Sequence, residues 1–263
     1  MNISLVGQER LFNAKLGYTS RNLPIKSVTT LLHGDGIIPN SGDMMLAKVT
    51  AIGQLQELEL AHGRPSTLSI DDEIIICFGH SSSEREASIP IDLQSCHLIA
   101  SGGIAALVNS HHASAKALTV IEPIGLLADC NQRCINLRDL ALPKLVSLFP
   151  HPFTIAVMGS STHAGSTTPT LIYSLMQAGY QVGAAKITGT GSGRNTWLMT
   201  DAGAKFVLDF THAGFPSTCR IGPEQVDFIV DTLITHLSVA RMDIIVLEVL
   251  EDWACQETTS VLN

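Results

Sequence analysis

The chain has 263 residues, a net charge of −8, and 45% hydrophobic against only 15% charged residues. At about 150 residues per domain it holds one large or two modest domains, and so apolar a chain excludes disorder as its main state. With only 16 Lys and Arg it lacks the basic field of a phosphate-backbone binder, which excludes nonspecific nucleic-acid binding.

Every apolar stretch is broken by charge, Pro or Gly well short of the ~18 residues that a membrane-spanning helix needs. The first ten residues show no basic segment followed by an apolar one, so a cytoplasmic protein away from membranes is expected. Six cysteines then read as reduced thiols rather than a disulfide framework. Cys130 and Cys134 are the one close pair, with His111 and His112 upstream. A zinc site needs four supported ligands, and small buried thiols are the better reading.

In chain order, short apolar runs come first. Met44–Val49, Leu58–Leu60 and Ile74–Phe78 are separated by Gly, Asp and Pro turns, which predicts a small antiparallel barrel or sandwich. Residues 98–108 are small and apolar, and fit a packed helix or a buried strand equally. Residues 122–152 carry four prolines and no clear period. The domain boundary is expected just before Phe153, with a mostly-β domain and linker over 1–150 and an α/β domain over 151–263.

From there strands and helices alternate. The run 154–158 ends at Gly159 and reads as a buried parallel strand. A loop and a helix over about 168–178 follow, with Pro169 in the first turn. Strands are expected at 181–187, 205–210 and 243–249. Between the last two, Val226, Ile229, Val230, Leu233, Ile234 and Leu237 form one face of a helix. Such βα units imply a parallel sheet covered by helices.

The segment Gly159, Ser160, Ser161, Thr162, His163, Ala164, Gly165, Ser166, Thr167, Thr168 carries the functional argument. A Gly-rich turn between a strand and a helix lets backbone N–H groups converge on an anion, with the helix N-terminus adding positive charge. Its spacing resembles the phosphate-binding loop of dethiobiotin synthetase-like proteins, two glycines flanking five residues before Lys-Thr. Gly159 and Gly165 match the glycines and Thr167 the Mg²⁺-binding hydroxyl. Ser166 stands where that family has its lysine.

Further stretches extend the likeness. Lys186 closes the second strand, where dethiobiotin synthetase-like enzymes carry another lysine, and Glu248 resembles their Mg²⁺-holding acid. Residues 188–191, 201–204, Asp209-Phe210 and 256–258, with Gly42-Asp43 and 101–103, resemble a bacterial P-loop family that includes D-glutamate N-acetyltransferases. Members continue beyond the point where this sequence stops, and Leu250-Glu251-Asp252 departs from their Ala-Asp-Gly. The sheet edge is then expected to be protected by the N-terminal domain or another subunit.

The fold class this implies is α/β: a C-terminal P-loop-type parallel sheet with helices on both faces, after a small mostly-β N-terminal domain. The resemblance implies a homo-oligomeric group-transfer enzyme that binds ATP or acetyl-CoA, Mg²⁺ and a small anionic substrate. Lys186, Asp201 and Asp209 would be catalytic. Gly159, Ser160, His163, Ala164, Gly165, Ser166, Thr167 and Thr168 would hold the cosubstrate, and Thr167 with Glu248 the metal. The alternative is a non-catalytic binding or scaffold protein, which Ser166 favours. Gly189 to Gly193 runs G-x-G-x-G and so lacks the dinucleotide spacing. His212 and Cys219 flank a small-residue turn without a catalytic triad pattern.

Overall fold

The computed structural model describes residues 1–81, 87–108, 118–146 and 150–250, and only the backbone over 161–164. His111, His112, Glu251, Asp252 and residues 256–258 lie outside the described residues. The chain divides into two compact units, Met1–Leu140 and Ala141–Asn263.

In the first unit, β1 (Asn2–Leu5), β2 (Lys15–Leu16), β3 (Thr30–His33) and β4 (Met44–Ala51) are followed by the hairpin β5 (Glu57–Glu59) and β6 (Pro65–Thr67). Then come β7 (Glu73–Phe78), β8 (Ala87–Ser88), β9 (Cys96–Ala100), β10 (Ile104–Val108) and β11 (Thr119–Ala128). Strand β4 pairs antiparallel with β7 and β11, β10 runs parallel to β7, and β9 pairs antiparallel with both β10 and β11. The ring β11–β4–β7–β10–β9 therefore returns to its start as a closed barrel.

Side-chain alternation explains the continuous apolar runs. Met45, Ala47, Val49, Ile74, Ile76 and Phe78 belong to one core. Their neighbours Met44, Leu46, Ile75 and Cys77 face a second core with Leu11, Val28 and Leu137. Leu11 comes from the short helix α1 (Gln8–Asn13). Both faces of these strands are covered, so neither sequence position can be polar. Burying each large aliphatic side chain contributes about 1.5–3 kcal/mol.

The start of the aperiodic stretch 122–152, as far as Ala128, belongs to strand β11. Its register with β4 shifts between Val120 and Ile121 and again between Pro123 and Gly125. Such bulges break a period-2 pattern and accommodate a proline that cannot join the ladder. Residues 98–108 resolve into the β9–β10 hairpin, turned through Gly103 at φ +93°.

The second unit contains β12 (Phe153–Gly159), α2 (Ser161–Gln177), β13 (Val182–Lys186), α3 (Arg194–Asp201), β14 (Phe206–Asp209), α4 (Pro223–Val239) and β15 (Ile244–Leu250). The four strands are parallel in the order β12–β15–β13–β14. Ile172 of α2 and Met199 of α3 pack with Val182, Ala184 and Val246. Val226, Ile229 and Leu233 of α4 pack with Ala185, Ile245 and Leu247.

These elements overturn the expected fold class. The chain is not an α/β protein with a P-loop-type sheet and a small β appendage. It is 36% strand with four helices among the described residues, and its closed mixed barrel and mostly antiparallel pairing dominate. Two physical reasons account for the error. Strands β8 to β11 were hidden by bulges and by the ambiguous 98–108 run. The expected phosphate-binding loop is also absent as a loop: α2 begins at Ser161, so Gly165 and Pro169 lie inside the helix. A helical Gly165 cannot wrap its backbone around an anion.

Candidate active site

Register brings three charged side chains into one row of the second unit. Lys186 of β13 is paired with Glu248 of β15 on one side and with Asp209 of β14 on the other. Paired residues on neighbouring strands share a face, and here they lie at the carboxyl-terminal ends, where open parallel sheets bind ligands. All three are buried: Lys186 is 4% exposed, Asp209 1% and Glu248 0%.

Each charge has a distinct local arrangement. Lys186 Nζ donates to the Thr190 carbonyl at 3.4 Å and stands 5.5 Å from the centre of the Phe210 ring. Gly189, at φ +126°, makes room for it, since a Cβ there would lie 3.3 Å from Lys186 Cε. The loop holding Thr190 is fastened by Gly189 N–H to Thr218 Oγ1 (2.8 Å), Thr218 N–H to Gly189 O (2.9 Å) and Gly191 N–H to Pro216 O (3.0 Å). Thr188 ties the same loop to β15, donating to Leu250 O and accepting from Leu250 N–H, both at 2.9 Å.

Asp209 caps the 3₁₀ turn Phe210–Ala213. Its Oδ1 accepts from the Thr211 N–H at 3.0 Å and from the Thr211 hydroxyl. His212 Nδ1 lies 3.0 Å from the same oxygen and also 3.0 Å from the Asp209 N–H. One ring nitrogen cannot donate to the first and accept from the second at once, so the tautomer decides which bond exists.

Glu248 is the least satisfied. Its Oε1 accepts from Asn195 Nδ2 at 2.6 Å, whereas Oε2 is buried without a hydrogen-bond partner. Burial pushes this carboxyl above the usual carboxylate range, opposed by the Asn195 amide, the Lys186 charge and the Thr168 hydroxyl. Thr168, in α2 and fully buried, is near enough to favour the charged form. Yet its own hydroxyl makes no hydrogen bond of proper geometry. Two poorly partnered oxygens thus sit together in a buried place, where a missing hydrogen bond costs about 1–3 kcal/mol.

The other sequence-derived candidates are placed as follows. Thr167 and Ser166 are exposed on α2, so Thr168, one residue on, takes the position beside Glu248. A helical turn of 100° per residue separates the two threonines. Gly159 closes β12 opposite Leu250, and Ser160 stands at the N-cap of α2. Gly165 faces Asn195, its would-be Cβ 3.8 Å from Nδ2. His163 and Ala164 belong to α2 by backbone. Asp201 is exposed at the far end of α3, about 9 Å along the helix from Asn195.

Sequence reasoning missed Asn195, because nothing local joins it to a glutamate 53 positions away. It named Thr168 only as a cosubstrate contact, and gave His212 only a place beside a turn.

No group of three or more His, Cys, Asp or Glu able to hold a metal occurs among the described residues. No helix among them is long and apolar enough to cross a membrane. Neither protein-family models nor curated protein sequences match the chain.

Proposed function

We propose that the row Glu248–Lys186–Asp209 is the centre of a group-transfer enzyme that binds a phosphate-bearing cosubstrate, ATP or acetyl-CoA, and a small anionic acceptor. The observation that carries this reading is the buried, incompletely satisfied Glu248–Thr168 pair beside a buried lysine. A ligand that engages both oxygens would offset the cost of burying a carboxylate and a hydroxyl that are poorly hydrogen-bonded.

The chain's own groups support specific roles. Lys186, held by the Gly189–Gly191 loop, would stabilise negative charge developing on the transferred group. Low surrounding dielectric strengthens it, and removing such a group typically costs about 10²–10³-fold in rate. The N-termini of α2 and α3 add partial positive charge at the same sheet edge. Asp209 fixes the turn that carries His212 and balances Lys186 from the other side.

The donor set fits Mg²⁺. A carboxylate oxygen and a hydroxyl, both hard and unpartnered, are suitable ligands. Glu248 and Thr168 would hold it, with Thr167 too exposed for the part, and bound Mg²⁺ would neutralise phosphate charge. Cys77, Cys96, Cys130, Cys134 and Cys219 are thiols, which suits a reducing, cytoplasmic setting.

A second reading, a binding or scaffold protein without turnover, is favoured by the helical start of α2, which offers no wrapped loop to a triphosphate. Calorimetric titration separates the readings. Binding of ATP that requires Mg²⁺, or of acetyl-CoA, together with its loss in Lys186→Ala, supports the enzyme. Silence towards both up to millimolar concentration overturns it.

A further inference from the structure

His212 stands at the Asp209 end of the charged row, on a turn that the fold holds from several directions. Phe210 and Ala213 of the same turn are buried in the α4 core. Gly214, at φ +89°, closes the turn with its N–H on the Thr211 carbonyl at 3.0 Å. The His212 carbonyl accepts from the Leu142 N–H at 2.8 Å. The His212 side chain is 19% exposed against 1% for Asp209, so the ring connects a desolvated carboxylate with accessible space.

We propose that His212 is the general base that takes the proton of the acceptor's N–H or O–H group, with Asp209 positioning it; this role rests on the group-transfer reading of the row. His212 Nδ1 has two partners to choose from, Asp209 Oδ1 and the Asp209 N–H, each at 3.0 Å. A hydrogen bond to a charged group contributes about 1.5–3 kcal/mol, and one between neutral groups about 0.5–1.5 kcal/mol. The proton of the neutral ring therefore belongs on Nδ1, pointing at the carboxylate, with the lone pair on Nε2 across the ring. A residue serving only as a cap would need the opposite tautomer, with Nδ1 accepting from the backbone. Thr211 also binds Oδ1 through its N–H and its hydroxyl, so the carboxylate stays in place when the ring gains charge. An imidazolium formed at Nε2 is then stabilised by a fixed, buried partner.

The row thereby acquires a direction. Neighbouring strands lie about 4.8 Å apart, which sets Glu248 and Asp209 about 10 Å apart with Lys186 between them. The cosubstrate belongs at the Glu248 end and the acceptor at the His212 end, with the transferred group over Lys186. As the acceptor nitrogen or oxygen bonds to the transferred acyl carbon or phosphorus, its proton passes to Nε2. The bond to the departing CoA sulfur or ADP oxygen breaks with its electron pair, and His212 then gives the proton to that leaving group or to solvent.

Nitrogen-15 NMR of the intact, labelled chain tests the tautomer, with His212→Gln identifying the resonances among ten histidines. The neutral ring of the wild type should carry its proton on Nδ1 and take the second on Nε2. Asp209→Ala leaves only the backbone N–H as a partner and should move the neutral proton to Nε2. A wild-type neutral ring protonated on Nε2 makes His212 a cap alone and overturns the proposal, whether or not a cosubstrate binds. Turnover gives the second readout: CoA release from acetyl-CoA, and phosphate release from ATP with Mg²⁺, with water as acceptor. His212→Gln should lower the wild-type rate about 10²–10⁴-fold at neutral pH, while calorimetry shows unchanged cosubstrate affinity. An unchanged rate overturns the role of His212 and leaves the group-transfer reading standing. A wild type that binds neither cosubstrate overturns that reading, and this role with it.

Discussion

The two units differ in how they bury charge. In the barrel unit the one buried charge among the described residues is Asp43, and both of its oxygens are used: Oδ2 accepts from the Asn40 N–H at 2.8 Å and Oδ1 from Asn136 Nδ2 at 2.8 Å. In the parallel-sheet unit three charges share one row, and Glu248 Oε2 and Thr168 Oγ1 stay unsatisfied. One buried carboxylate is thus fully engaged by hydrogen bonds and the other only half so. An under-satisfied buried charge is the kind of local conflict expected at a ligand site.

The largest effect should come from the barrel core. Phe78→Ala removes a fully buried ring between β4 and β10 and should cost about 3–5 kcal/mol in urea denaturation. A loss below about 1 kcal/mol would mean that the barrel interior is not packed around this ring.

Next come two substitutions within the charged row that should differ in sign. Lys186→Met leaves Glu248 and Asp209 buried without their cation and should destabilise by about 3 kcal/mol. Glu248→Gln removes a desolvated charge while keeping an oxygen for Asn195, and should be neutral or stabilising by about 1 kcal/mol. The same Glu248→Gln variant should lose Mg²⁺-dependent ATP binding. Equal destabilisation by both would show that Glu248 is an ordinary structural partner of the lysine.

The pH dependence follows from the raised Glu248 carboxyl. An acid whose folded pKa lies above its unfolded value binds its proton more tightly in the native state. Its stabilising contribution is complete below the unfolded value near 4.5 and is lost as pH rises through the folded value. Urea midpoints from acid towards neutral pH should therefore fall more steeply for the wild type than for Glu248→Gln. Parallel curves would remove the case for a desolvated carboxyl.

Gly189→Ala sharpens the same contrast at the backbone. At φ +126° an alanine is strained, and its Cβ presses on Lys186 Cε. A stability loss of about 1–2 kcal/mol should come with weakened ligand binding. Barrel glycines at positive φ, such as Gly36 with open space around it, should show the strain alone.

Legibility of the sequence divides along similar lines. Lys186 was readable because a charge closing an apolar strand stands out, and strand-end position gives it meaning. Glu248 was named only through the resemblance, as a Mg²⁺-holding acid. Thr168 was separated from Thr167 only by the helical phase of α2, which depends on where that helix starts. The barrel closure was not legible, because it needs β10 to lie parallel to β7 and β9 to bridge β10 and β11. Such pairings are set by register between distant segments, and bulges at Ile121 and Gly125 erased the local alternation.

The smallest expected effect lies at the barrel surface and marks the baseline for the rest. Arg10 on α1 forms a two-pronged pair with Glu73 of β7, with Arg10 Nε and Nη2 both donating to the carboxylate. The guanidinium holds the Glu73 carboxyl below the ordinary range, so its contribution is present above the unfolded pKa and fades as pH falls through the folded one. Side-chain exposures of 46% and 27% leave the pair well solvated, and such pairs contribute about 0–1 kcal/mol. Arg10→Ala should therefore shift the urea midpoint little, and less still in high salt. Its pH trend should run opposite to that of Glu248: one carboxylate is favoured by folding and the other opposed by it. If both trends had the same sign, the contrast between a carboxylate paired at the surface and the desolvated Glu248 would not hold.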